Sequence, residues 1–192
     1  VSLPNELLWA LIGLLLTIGG TFIEASIANI PWDWSDRGVQ SLSLGVTYQI
    51  GAVLLTGCLG GKNAGALSQI AYLFIGLSCW LSVFSQGCGL DYVREPSFGY
   101  LIGFIPGAWL CGWLAFRTRL TLESLTFSSL CGLGIIHICG LVYLGFLSQM
   151  GRESISFLNE TILYSVTPLL GQLIIVCVVS LIAFILRKIL LY

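Results

Sequence analysis

An all-α membrane protein, six transmembrane helices in one bundle, is the fold class the sequence predicts. The first observation is composition: 57% of the 192 residues are hydrophobic and 9% are charged, against roughly 45 to 50% apolar and about 25% charged in soluble domains. The second is a set of six apolar runs, each near the ~20 residues that carry a helix across a bilayer. The third is the continuity of those runs, which do not alternate as the strands of a membrane barrel do. Helices follow, because each unpaired backbone group in hydrocarbon costs several kcal/mol. Residues 1–192 are then expected to form a single integral membrane domain.

The spans are expected near Leu7–Ile23, Val39–Leu59, Ala64–Phe84, Gly99–Phe116, Leu122–Leu147 and Leu163–Leu186. The first resembles a secretory signal with Ser26-Ile27-Ala28 as its cleavage site. A signal needs a basic leader, whereas the only charge before this run is Glu6, so it reads as a span. In the fourth, Gly99, Gly103 and Gly107 recur every four residues and leave one helical face without side chains, where a neighbouring backbone can approach closely. Gly57, Gly61 and Gly65 repeat that spacing across the turn at Lys62 and cannot form one continuous face. The seven cysteines, odd in number and mostly in apolar runs, read as small buried hydrophobes rather than a disulfide or zinc framework.

With six spans both termini share a side. That side collects Lys62, Arg117, Arg119, Arg187 and Lys188, against Arg37, Arg94 and Arg152 on the other. The excess of basic residues places both termini in the cytoplasm of a cell-membrane protein. Glu24, Asp33, Asp36, Asp91, Glu95, Glu153 and Glu160 then lie outside. The outer connections are Glu24 to Gly38, with Trp32 and Trp34 as interface markers or a lid, Ser85 to Phe98, and Ser148 to Thr161, where a short surface helix is expected. Ser85 to Phe104 gathers charge, glycine and aromatic rings in one short stretch, the first place to look for a ligand.

Polar side chains at membrane depth are costly unless paired or facing a wet cavity, so Gln49, Gln69, His137 and Gln172 stand out. Gln69 reads as a bridge between helices, and a lone His137 as a hydrogen-bonded interior residue. Gln49 and Gln172 are candidates for ligand contact. An intramembrane hydrolase would need a nucleophile with an oriented base, and no Gly-x-Ser-x-Gly, aspartate pair or His-Glu-x-x-His is present. A purely structural helix-packing protein leaves the one-sided clustering of polar and aromatic groups without a reason. No Gly-x-x-x-x-Gly-Lys-Ser/Thr run exists for nucleotide. No enzyme activity, bound cofactor or nucleic-acid partner is expected of this chain; membrane lipid is its surroundings.

Pro96-Ser97-Phe98-Gly99-Tyr100-Leu101-Ile102-Gly103-Phe104 resembles the Pro-Thr-x-Gly-Tyr-Leu-Ile-Gly-Phe signature of the BioY family of biotin transporters. Gly60 to Ser68 resembles that family's Leu-Gly-Pro-Lys-x-Gly-Ala-Leu-Ser, Thr47-Tyr48-Gln49 its Thr-Leu-Gln, and Pro168 to Ile174 its Pro-x-x-Gly-Asp-Leu-Ile. The matches run in order from about Thr47 to Ile175. The resemblance implies an S component of an energy-coupling-factor transporter. Such a chain binds biotin at the outer face, while a separate coupling transmembrane subunit and ATPases that use ATP complete the transporter. For biotin, Gln49, Gln86 and Gln172 suit the ureido edge, Tyr72, Phe84, Tyr92 and Tyr100 the apolar body, and Arg94 the carboxylate.

Three departures matter. Gln172 stands where the family pattern has Asp, and Ile175 where it has Lys, so a glutamine amide can still serve a ureido ring but the carboxylate loses its partner. Arg94 is expected either to substitute for that lysine, gripping the acid from the loop, or to pair with Asp91 or Glu95 in water. The alternative is a related substrate, another vitamin or a biotin precursor. The family's Ala-x-x-x-Ala docking face on the first span is replaced by Gly13, Thr17 and Thr21.

Overall fold

The computed structural model describes residues 3–29, 32, 38–85, 87–149 and 157–190. It is mostly helical, with α1 (Leu3–Phe22), α2 (Gln49–Ser78), α3 (Phe98–Arg117), α4 (Leu122–Gln149) and α5 (Phe157–Leu190). Among the described residues five helices, not the expected six, are long and apolar enough to cross a membrane. The expected second and third spans both fall in α2, and α2 is not straight. Gly61 breaks it at φ 82° and ψ −176°, a backbone open to glycine because it has no Cβ.

The break reverses the chain. Gln49 Nε2 lies 2.9 Å from the Tyr72 hydroxyl, whereas 23 residues of unbroken helix would separate them by about 34 Å. The first arm, residues 49–60, is therefore only about 18 Å long, short of the ~30 Å hydrocarbon layer. Residues expected to lengthen it are not helical. Ser41–Thr47 is a strand, β2, paired antiparallel with β1 (Glu24–Ala28) in the register Ser26 to Ser43 and Ala28 to Ser41. Ser41, Ser43, Leu42 and Leu44 alternate in sequence with period two, which suits a strand. The hairpin sits where α1 ends and α2 begins, with Tyr48 N–H donating to the Ile23 carbonyl at 3.1 Å.

Glycines set the helix packing. An added Cβ at Gly103 would come within 3.0 Å of the Ile136 backbone, and one at Gly107 within 2.9 Å of the Gly132 carbonyl. The face expected on the fourth span thus carries α4 in close contact. Gly57 and Gly65, on opposite arms of α2, both meet the Ala108 carbonyl, at 2.8 and 3.1 Å from an ideal Cβ. On α5 the buried positions Gly171, Gln172, Ile175, Val176, Val179, Ser180, Ala183 and Arg187 form one stripe at helical period.

Two further expectations change. Cys79 and Cys88 are joined as a disulfide, because the reversal after α2 returns the chain alongside its last turn, a proximity invisible to cysteine counting. Cys58 and Cys111 do behave as buried apolar groups. Gly13, Thr17 and Thr21 are buried, not a free docking face: an added Cβ at Gly13 would lie 2.3 Å from Thr56. Thr17 Oγ1 accepts from Gln69 Nε2 at 3.1 Å, so Gln69 is the helix bridge expected of it. The outward face of α1 is leucine, with Leu8, Leu11 and Leu15 more than half exposed.

Candidate functional site

At the end of the bundle where α1 stops and α2 starts, aromatic rings fill the interior. Tyr72, Phe84, Tyr92, Phe98 and Tyr100 belong to one buried cluster. Tyr72 meets Phe84 edge-on at 5.4 Å, Phe84 meets Tyr92 at 4.6 Å, and Tyr92 meets Phe98 at 6.4 Å between ring centroids. The connection after α2 supplies the middle of this row. The Cys79–Cys88 disulfide closes that connection, and the turn Leu90–Arg94 folds Tyr92 inward while its hydroxyl shares a hydrogen bond with Ser97 at 3.1 Å.

One polar group of the site is anchored on Tyr72, which is 1% exposed. Its hydroxyl donates to the Val83 carbonyl at 3.0 Å and accepts from Gln49 Nε2 at 2.9 Å, with Thr21 Oγ1 at 3.2 Å. One N–H of the Gln49 amine is given to Tyr72, which fixes the amide's orientation and leaves its oxygen as an acceptor for a ligand, beside its second N–H.

A second polar group forms between α3, α4 and α5. The Tyr100 hydroxyl lies 2.7 Å from Ser165 Oγ, Ser165 Oγ lies 3.1 Å from His137 Nδ1, and His137 Nε2 lies 2.7 Å from Gln172 Oε1. One set of directions satisfies the chain: Tyr100 donates to Ser165, Ser165 donates to Nδ1, and Nε2–H donates to the Gln172 oxygen. The Gln172 amine is then held as a donor. Ser165 reaches this place because α5 opens into a π turn at Ile162–Val166. Pro168 has no N–H for the Tyr164 carbonyl, and loss of that bond favours the wider turn. Tyr164 also meets Tyr100, at 5.9 Å.

The structure thus gathers Gln49, Tyr72, Phe84, Tyr92, Tyr100 and Gln172 at one end of the bundle. Arg94 is exposed at the end of its turn. Gln86 and Trp34 lie outside the described residues, as do residues 150–156 of the Ser148 to Thr161 connection, and Trp32 is 87% exposed rather than folded over the cluster. His137 is the interior histidine expected, yet its partners give it a part that sequence reading missed. Ser165 and Gln172 are 28 and 35 residues away; only the Tyr-Ser-Val-Thr-Pro run before Gln172 hinted at a widened turn. Ile175 is 4% exposed within an apolar cluster, and an added Cβ at Gly51 would meet it at 2.9 Å. The substitution for lysine is therefore a packing residue.

The chain matches the model of the BioY family over residues 5–191. It is 37% identical over 130 residues to the probable biotin transporter BioY of Lysinibacillus sphaericus, covering 67% of this chain and 59% of that one. It is 30% identical over 153 residues to the biotin transporter BioY of Thermotoga maritima, covering 79% and 81%. An uncharacterized 21.2 kDa protein of Cyanophora paradoxa is 31% identical over 96% of this chain and 95% of its own. Among solved structures, the S-component for biotin from an ECF-type ABC transporter superposes with a TM-score of 0.68 at 23% identity, over 96% of this chain and 91% of that one.

Proposed function

Starting from the chain's membership of the BioY family, a multi-pass membrane transport family and not one of enzymes, we propose that it is the biotin-binding S component of an energy-coupling-factor transporter. It captures biotin at the outer face of the cell membrane, with both termini cytoplasmic. It binds no cofactor itself; a separate coupling subunit and ATPases use ATP to deliver the substrate. The observation that carries this reading is the complementary orientation of two amides beside the aromatic cluster: an acceptor at Gln49 and a donor at Gln172. A ureido ring has an oxygen that accepts and N–H groups that donate, so it matches both. Tyr72, Phe84, Tyr92 and Tyr100 supply apolar walls for the bicyclic body, Gln86 a further amide, and Arg94 the cation for the carboxylate.

The outward placement is supported by the Cys79–Cys88 disulfide, since such bonds persist in oxidising compartments and are rare in the cytosol. With Gly13, Thr17 and Thr21 turned inward, the coupling subunit meets α1 on its leucine face. A second reading, another vitamin or a biotin precursor, draws on Ile175, which puts an apolar side chain where a carboxylate partner would stand.

A thermal-shift series of the detergent-purified protein with biotin, desthiobiotin, thiamine and riboflavin separates the two. Biotin at ~100 times its dissociation constant should add about 2.7 kcal/mol of stability. Stabilisation by thiamine or riboflavin instead, with none by biotin, would replace the substrate; stabilisation by none of the four would remove the binding function.

A further inference from the structure

The opposite end of the bundle holds a cleft of about 430 Å³, lined by Glu6, Lys62, Asn63, Trp113, Phe116 and Arg117 together with the glycines of the α2 reversal. Its cations are held in place by rings. Lys62 Nζ stands 5.8 Å from the Trp109 ring, Arg117 Cζ stands 4.7 Å from the Trp113 ring, and the two indoles stack at 6.3 Å and 7°. The two positive charges therefore lie against one aromatic slab on α3 while remaining exposed at the mouth of the cleft. Arg187 is buried beside this wall, its guanidinium 4.2 Å from the Phe116 ring and its Nη1 donating to the Ala115 carbonyl at 2.8 Å. Among the described residues Glu6 supplies the only acid of the lining, and both its oxygens accept from Asn63 Nδ2, at 3.1 and 3.2 Å.

We infer that this cleft is a binding site for the headgroup of an anionic glycerophospholipid carrying a free hydroxyl, of the phosphatidylglycerol type. The phosphate accepts from Lys62 and Arg117. Glu6, oriented by Asn63, accepts from the headgroup hydroxyl. The stacked indoles lie along the acyl-chain side, as amphipathic rings do at the membrane interface. Two cations and one acid leave a net positive lining, which attracts a monoanion. Basic pockets between membrane helices on the inner leaflet are a recurring place for anionic headgroups. The site is independent of which substrate the other end takes.

The test is a melting-temperature titration of the detergent-purified chain with dihexanoyl phosphatidylglycerol, phosphatidate, phosphatidylcholine and chain-free glycerol phosphate. Phosphatidylglycerol should act at roughly thirtyfold lower concentration than phosphatidylcholine, the preference expected of two interfacial cations, and ahead of phosphatidate. K62Q/R117Q should erase that preference, while Arg119→Gln, which is not in the lining, should keep it. If the double variant does not fold, Lys62→Gln and Arg117→Gln singly should each reduce it about fivefold. Glu6→Gln should bring phosphatidylglycerol and phosphatidate together. Equal potency of phosphatidylglycerol and phosphatidylcholine on the parent would overturn the site and leave the cleft to a protein partner; equal potency of glycerol phosphate would make it a soluble-anion site.

Discussion

Gln172 illustrates how a single side chain acquires a direction. Its oxygen is occupied by His137, and His137 is oriented by Ser165. Ser165→Ala removes the donor to Nδ1, so the imidazole can place its proton there and accept, rather than donate, at Nε2. The Gln172 amide would then turn its amine toward the ring and its oxygen toward the ligand. Biotin binding should weaken by roughly twofold to tenfold, the range for one neutral hydrogen bond; calorimetry giving an unchanged dissociation constant would mean the relay does not orient the amide. Arg94 is tested differently, because its partner is charge. Arg94→Gln should weaken biotin by roughly tenfold to a hundredfold, as for a hydrogen bond to a charged group, and the methyl ester of biotin much less. Equal loss for acid and ester would assign Arg94 to the shape of the loop. Gln49 and Gln172 were legible as candidates because an amide at membrane depth needs a reason. Ser165 was not, because its role depends on a π turn that brings it to residues far away in sequence.

At the scale of elements, the helices that were easiest to foresee are those whose packing is written in glycine. The Gly99, Gly103 and Gly107 repeat announced a close neighbour, and α4 is that neighbour. Gly103→Leu should therefore destabilise the protein by about 1 to 3 kcal/mol through overpacking and weaken ligand binding without contacting ligand, since Tyr100 lies on the same helix. A variant that melts and binds like the parent would place this face against lipid. The β-hairpin was hidden because hydropathy over Val39 to Leu59 is continuous, and a length test cannot separate a strand followed by a short helix from one span. Alternation in Ser41 to Val46 carried that information at shorter range. The disulfide was hidden for a related reason: its two cysteines, nine residues apart, meet only because Cys79 ends α2 in a left-handed turn, φ 56°. Reducing it should lower stability by roughly 2 to 3 kcal/mol on a loop-entropy estimate and loosen biotin binding through Val83 and Phe84, both inside the closed loop. Retained affinity under reductant would show that packing alone holds the loop.

For the whole molecule, the reversal at Gly61 sorts the chain into two unlike ends. One carries the hairpin, the disulfide, Tyr72, Gln49 and Gln172; the other carries Lys62, Arg117, Arg187 and Glu6. Charge counting alone separated the ends by five basic residues to three, a narrow margin. Disulfide chemistry is an independent guide, since an oxidised pair belongs outside the cytosol. Both point the same way, so the aromatic end should face outward. In a chain whose five other cysteines are replaced by serine or alanine, an impermeant maleimide added to intact cells should label Cys79 and Cys88 only after an impermeant reductant has opened the bond. Thr118→Cys, exposed in the turn between α3 and α4, should label only once the membrane is permeabilised. The opposite pattern would invert the protein, put the glutamine and tyrosine site on the cytoplasmic side, and turn uptake into a problem of release. Labelling of both ends in intact cells would break the two-sided arrangement on which outward capture depends.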